Sequence, residues 1–259
     1  MLEAVTRRDV VRGIATGVPL ATVLADPVLA QAVALSLETV TITTTGGRTV
    51  SGALAMPEGK TKGAILLIHE WWGLNDQIKA VAAEFAHQGY LALGVDLYNG
   101  KVAMTADEAR SYSRGTDPVA ATDTLKAWVD WLRNHAKGTG KVGTVGWCYG
   151  GGWSLNASLA APVNATVVYY GRVNKKAAEL VRLKGPVLGH FGTLDKYINE
   201  KMVSGFEAQM RKVGKPFTTH WYDANHAFAN PTGNRYDAGD AKLAWERTVA
   251  FFEKHLSGN

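Results

Sequence analysis

The run Gly143-Thr-Val-Gly-Trp-Cys-Tyr-Gly-Gly-Gly152 constrains the fold more than any other part of the chain. After Lys141-Val142, the small residues Gly143 and Gly146 read as the end of a buried strand, and Trp153 to Ala160 reads as a helix. Between them stands Cys148, the only cysteine in the sequence, with Gly146 and Gly150 two residues to either side. This is the G-x-S-x-G nucleophile elbow with Cys in the Ser position. A strand that turns so sharply into a helix holds its central residue at strained dihedrals. The residues two away must lack side chains so that backbone can pass close by. The thiol then stands clear of the sheet at the positive end of the following helix, where a thiolate is stabilised. A lone cysteine is more often a small buried hydrophobe. The flanking glycines and the strand-to-helix context point instead to a nucleophile.

The rest of the chain supplies the sheet that an elbow needs. Leu37 to Thr44 alternates and is β-branched, Gly46-Gly47 turns it, and Thr49 to Ala55 returns as the second arm of an antiparallel hairpin. Gly63 to Ile68 is a continuous apolar run, the mark of a strand covered on both faces. A helix over Ile78 to His87 follows, with Val81, Ala82 and Phe85 on one face and Gly89 as its stop. Tyr90 to Val95 is the next strand. Met104 to Ser113 reads as a short polar helix or lid, and Asp117-Pro118 opens a longer helix through His135. Beyond the elbow, Asn164 to Gly171, Pro186 to Phe191 and Phe217 to Tyr222 read as strands. Lys175 to Leu183, Glu200 to Lys212 and Asp240 to Leu256 read as helices. Strands alternating with helices after one hairpin predict an α/β fold: a mostly parallel central sheet with helices on both faces.

At 259 residues, 46% hydrophobic and 20% charged, the chain suits one such domain. The net charge of +5 is mild and the basic residues are scattered, so no nucleic-acid footprint is present. The N-terminus has another character. Thr6-Arg-Arg-Asp-Val-Val-Arg12 precedes the modestly apolar stretch Gly13 to Leu24, and Ala30-Gln-Ala32 follows as an A-x-A site. These are the parts of an export signal, and Arg7-Arg8 resembles a twin-arginine pair. Residues 1–32 are therefore expected to be a leader read by the twin-arginine export machinery. Residues 33–259 are expected to form one domain in the periplasm or outside the cell. Asp26 and Pro27 interrupt the apolar run well short of the roughly 20 residues that a membrane span needs, so no stable insertion is expected.

Four reactive side chains fall just past four strand ends: Glu70, Cys148, Asp195 and His226. Open α/β sheets bind ligands beyond the carboxyl ends of their strands. Nucleophile, acid, then His is the chain order of the α/β-hydrolase triad, with His226 as base and Asp195 orienting its ring. His69-Glu70, Asp96-Leu-Tyr98, Gly-Trp-Cys-Tyr-Gly-Gly, Tyr169-Tyr-Gly171, Gly192-x-x-Asp195 and His226-Ala-Phe228 together resemble the dienelactone hydrolase family over about residues 36 to 256. The resemblance implies an α/β-hydrolase fold and the hydrolysis of small lactones or activated esters through a Cys148 acyl-enzyme, with no metal or organic cofactor. It implies that Glu70 engages the thiol when substrate arrives and takes up its proton. It also implies an oxyanion hole made by the backbone N–H groups of Tyr149 and Trp71.

The sequence departs from the family's pattern at the carboxylate clamp. That pattern has an arginine in the mid-chain lid and another four residues after the triad His, with a Ser directly after it. Here the latter two positions are Asn230 and Ala227. Arg110 or Arg114 is the candidate for the lid arginine, and Arg172 is a candidate substitute. His69, Trp71, Trp72 and Phe228 suggest an aromatic, fairly apolar pocket mouth. A rival class is a catalytically silent hydrolase-fold protein that binds a small ligand; intact Cys148, Asp195 and His226 weigh against it. A thiol redox protein lacks the second, resolving cysteine it would need.

Overall fold

A computed structural model describes residues 20–257. They open with two short helices, α1 (Leu20–Ala25) and α2 (Pro27–Ala34), and the hairpin β1 (Glu38–Thr43) and β2 (Thr49–Ala55). Then follow β3 (Gly63–Ile68), α3 (Asp76–His87), β4 (Tyr90–Val95), α4 (Ala106–Gly115) and α5 (Pro118–Asn134). The elbow joins β5 (Val142–Trp147) to α6 (Tyr149–Ala160). The chain closes with β6 (Ala165–Tyr169), α7 (Ala177–Leu180), β7 (Val187–Gly192), α8 (Glu200–Lys212), β8 (Phe217–Tyr222) and α9 (Ala238–Leu256).

One sheet runs β1-β2-β4-β3-β5-β6-β7-β8. The β1–β2 and β2–β4 pairs are antiparallel, and every pair from β4–β3 onward is parallel. Because successive strand residues face opposite sides, β3 feeds two cores. Ile65 and Leu67 pack with Phe85 of α3 and Phe252 of α9, whereas Leu66 and Ile68 pack with Trp128 and Leu132 of α5. All four side chains of this group outside the sheet are buried, and each large apolar one stabilises the fold by about 1.5–3 kcal/mol. A third cluster joins α6 to α8 through Leu155, Val203 and Phe206. The helix starts carry the caps their residues allow: Asn75 accepts from the Ile78 N–H, and Asp117 from the Val119 N–H ahead of Pro118 at the first helical position.

Two expected boundaries move. The helix expected over Lys175 to Leu183 is a single turn, Ala177–Leu180. Leu180 and Leu183 both turn inward to the same buried cluster, and the chain must then reach Pro186 to open β7. The elbow helix begins at Tyr149 rather than Trp153, so three glycines lie in its first turns. Their poor helix propensity hides them, and packing outweighs it.

Residues 1–19, with Arg7, Arg8 and Arg12, lie outside the described residues. The described remainder of the expected leader packs on the domain, with Val23, Leu24 and Ala30 buried. Asp26, read as an interruption of the apolar run, caps α2 by accepting from the Val28 and Leu29 N–H groups, with Pro27 at the first helical position. No helix among the described residues is long and apolar enough to cross a membrane.

Candidate active site

The elbow is built by close backbone approach. Cys148 sits at φ 54 and ψ −114 between β5 and α6, and its N–H donates to the Tyr169 carbonyl at 3.0 Å. A Cβ on Gly146 would lie 2.0 Å from the Gly150 carbonyl oxygen, and one on Gly150 would lie 2.2 Å from that of Ile68. Neither position can carry a side chain, as the spacing of the motif requires. Three of the four non-glycine residues with positive φ among the described residues, Cys148, Tyr170 and Ala227, border this site. Backbone strain of this kind gathers where the surrounding structure holds a working geometry.

The structure brings Cys148, Asp195 and His226 together across three loops. His226 Nδ1 lies 2.6 Å from Asp195 Oδ2 and its Nε2 lies 3.0 Å from Cys148 Sγ. Asp195 Oδ1 accepts from the Tyr197 and Ile198 amides at 2.8 and 3.0 Å, so its carboxylate cannot rotate away from the ring. Burial works against charge on Asp195. The hydrogen bonds from His226 and from the Ile198 and Tyr197 amides outweigh it and hold the carboxyl below its usual range. Burial likewise opposes charge on His226, but the hydrogen bonds to Asp195 and Cys148 raise the ring to about 10. In the protonated ring that these bonds favour, Nδ1–H donates to Asp195 and Nε2–H to the sulfur.

Glu70 is placed beside the triad but turned to another partner. Its Oε2 accepts from Asn230 Nδ2 at 2.7 Å, while Oε1 is buried without a partner among the described residues. Burial pushes the Glu70 carboxyl up, and the Asn230 bond offsets this only in part. The Asn230 side-chain oxygen is itself held by the Thr232 N–H and hydroxyl and by Gln77 Nε2. Asn230, read from the sequence only as a missing arginine, is thus the residue that positions Glu70.

His69 orders the other wall. Burial lowers its ring to about 4, so it is neutral. Leu97 N–H donates to Nε2 at 3.3 Å, which leaves Nδ1–H to donate to the Glu70 carbonyl at 2.5 Å. The C=O and N–H of a trans peptide point opposite ways. Fixing the Glu70 carbonyl therefore also fixes the direction of the Trp71 N–H. That N–H and the Tyr149 N–H make no backbone hydrogen bond among the described residues, and Tyr149 directly follows Cys148 at the start of α6.

The expected substrate-contact residues divide. Trp71 and Trp72 are half-buried and meet edge to face at 5.2 Å. Phe228 is fully buried against Tyr170 and Tyr222 and belongs to the core behind His226, not to the pocket mouth. The reason is local: Ala227, at φ 65, turns the chain so that the next side chain points inward. Arg110, Arg114 and Arg172 are all exposed, and Arg110 pairs with Asp107 on its own helix at 2.5 Å. None of the three bonds to a triad residue or to Glu70. Two contributors escaped the sequence reading. Tyr170, at φ 36, packs its ring edge to face with His226 at 5.3 Å, and the exposed Tyr197 ring flanks His226 at 5.9 Å. The only signals for them were the second Tyr of Tyr169-Tyr-Gly171 and a position two after Asp195. Among the described residues no group of three His, Cys, Asp or Glu side chains is placed to hold a metal ion.

The model of the dienelactone hydrolase family matches residues 50–256. The chain is 31% identical over 224 residues to protein usf of Aquifex pyrophilus, covering 82% of this chain and 96% of that one. It is 28% identical over 229 residues to the carboxymethylenebutenolidase of Pseudomonas putida, covering 83% and 95%. The crystal structure of a putative dienelactone hydrolase from Klebsiella pneumoniae subsp. pneumoniae superposes with a TM-score of 0.75 at 22% identity, over 85% of this chain and 100% of that one.

Proposed function

The chain belongs to the dienelactone hydrolase family, and we propose that it opens lactones and activated esters through a covalent acyl-enzyme on Cys148. The observation that carries this reading is the position of His226. One ring nitrogen lies 3.0 Å from the sulfur and the other 2.6 Å from a buried aspartate.

With the thiol proton on His226 Nε2, Sγ attacks the carbonyl carbon and forms the C–S bond. The negative oxygen that results is met by the Trp71 and Tyr149 N–H groups. Collapse breaks the C–O bond, and the leaving alkoxide takes the Nε2 proton. In a lactone that alkoxide stays attached as the hydroxyl of the opened acid. A water then attacks the thioester and gives its proton to His226. The C–S bond breaks and the thiolate–imidazolium pair returns. Asp195 holds the ring throughout. Glu70 takes no proton in these steps; it could engage the sulfur only after its side chain leaves Asn230.

Among the described residues no arginine is bonded into the site, which favours a neutral or weakly anionic lactone or aryl ester as substrate. The test is a stopped-flow burst with p-nitrophenyl acetate. One equivalent of nitrophenol per chain is expected, lost in Cys148→Ala and after one-to-one alkylation by iodoacetamide. A wild-type chain that binds the ester without a burst would leave the rival reading, a silent hydrolase fold that holds a small ligand.

Export is part of the same proposal, supported by Arg7-Arg8 and by Ala30-Gln-Ala32. Cell fractionation with N-terminal sequencing is expected to find a periplasmic chain beginning at Val33. An intact Met1 confined to the cytoplasm would overturn it.

A further inference from the structure

A cavity of about 440 Å3 lies between α1, α3 and α9. Leu24, Ile78, Val81, Trp147 and Trp245 make its wall largely apolar. Cys148, Asp195 and His226 do not line it, but Glu70, Asn230 and Tyr170 do. Glu70 therefore stands between the elbow and a second compartment. The size and the mixture of an apolar wall with a few polar groups are those of a small-molecule site.

The polar groups on this wall are not all used. Glu70 Oε1 and the Tyr170 hydroxyl are both buried with no hydrogen-bond partner among the described residues. Glu70 is 7% exposed and Tyr170 0%. Buried polar atoms in native proteins are nearly always paired, and one left unpaired costs about 1–3 kcal/mol. Glu70 and Tyr170 also act on each other, and the hydrogen-bonding capacity the two groups keep is open to a guest in the cavity they both line. The charge of that guest is restricted. Glu70 repels an anion when ionised, and it is driven toward the neutral form by its burial. The basic side chain on the wall, Lys242, is 78% exposed and pairs with Glu246.

We propose that in the full chain, which still carries α1, this cavity is a second ligand site, for an uncharged amphiphile whose hydroxyl or carbonyl meets Glu70 and Tyr170 and whose aryl or hydrocarbon body lies against Trp147 and Trp245; cleavage before Val33 would remove the wall made by Leu20, Ala21 and Leu24. The ligand is held rather than hydrolysed, because the sulfur is not on this wall.

Calorimetric titration of the full chain with 1-naphthol, naphthalene and 1-naphthoate tests this. It is run on the wild type, on the wild type alkylated at Cys148, and on Ala241→Trp. Ala241 lines the cavity from α9 and takes no part in the hydrolytic site. One-to-one binding of 1-naphthol is expected, about tenfold or more tighter than either analogue, since a lost hydrogen bond of about 1.4 kcal/mol is one decade. Ala241→Trp is expected to abolish it while leaving nitrophenyl acetate turnover unchanged, and alkylation of Cys148 is expected to leave it intact. Ala238→Trp, on the same wall at the start of α9, serves if Ala241→Trp does not fold. Equal affinity for naphthalene would mean that water alone serves Glu70 and Tyr170. Loss on alkylation would make the cavity part of the ester site. No binding, or binding that survives the cavity-filling tryptophan, would likewise overturn the proposal.

Discussion

At the residue scale, the charge on His226 is the property most open to measurement. Its ring is raised to about 10 although burial opposes charge, because Asp195 and Cys148 both accept from it. A group raised in the fold stabilises it fully below its unfolded value near 6.5, and that stabilisation is lost as pH climbs through about 10. Nitrogen NMR on the wild type is expected to show a doubly protonated ring through pH 8. Cys148→Ala removes one acceptor, and its ring is expected to titrate lower. A wild-type ring that is neutral at pH 7 would contradict the ion pair. Asn230 carries the second residue-scale prediction. Its amide holds Glu70 without charge. Asn230→Arg adds a cation beside a buried carboxyl, so Glu70 is expected to titrate lower. A carboxylated lactone should gain about ten- to a hundred-fold in kcat/KM over its methyl ester, since a hydrogen bond to a charged group contributes about 1.5–3 kcal/mol. Assays of that ester pair at low and high salt check it; a gain that salt does not weaken would rule out the charge as its source.

At the element scale, the elbow depends on the approach of β3, β5 and α6. Gly150 is the tightest point from the side of α6, with Ile68 and His69 carbonyls 2.2 and 2.4 Å from where a Cβ would stand. Both clashes are with backbone, which cannot swing aside. Gly150→Ala is therefore expected to push α6 off β3, with loss of turnover and a fall in melting temperature. Gly205→Ala, in the exposed middle of α8 with nothing within 4 Å, is expected to be neutral or slightly stabilising. Thermal melts and the nitrophenyl acetate burst on the two variants check the contrast. The lid helix α4 is a different kind of element. It buries only Ala109 and rests on its Thr105–Glu108 capping box, so local capping rather than core packing holds it.

At the scale of the whole molecule, residues 20–34 raise a competition. They close one side of the domain, with Val23, Leu24 and Val33 buried, and Ala30 of the A-x-A site is 2% exposed. A peptidase could reach that site only after α2 leaves α3. A chain beginning at Val33 would uncover Ile78 and Val81 and lose the burial of Val23 and Leu24. Each of those two side chains is worth about 1.5–3 kcal/mol, and 1 kcal/mol shifts the melting temperature of a domain this size by about 2–4 °C. A fall of roughly 10 °C from the full chain to the shortened one is expected by calorimetry. Equal melting temperatures would mean that residues 20–32 add nothing to the stability of the domain.

Short runs of the chain carry the alternation of strands and helices, the elbow, and the order in which Cys148, Asp195 and His226 follow their strands. Each is written in a short run: apolar continuity in Gly63–Ile68, glycines two residues either side of Cys148, a turn after each strand. Local spacing is enough for these, because strand period and turn sterics act over a few residues. What those runs meet is set by long-range packing. Glu70 finds Asn230, 160 positions away. Phe228 turns into the core instead of the pocket; Gly150 and Gly151 enter a helix despite low helix propensity because the backbone of β3 at Ile68 and of Tyr169 and Gly171 leaves no room for side chains there. The cavity between α1, α3 and α9 draws its wall from segments as far apart as Leu24 and Trp245. Such choices depend on which distant group occupies the same volume, and no periodicity along the chain records that.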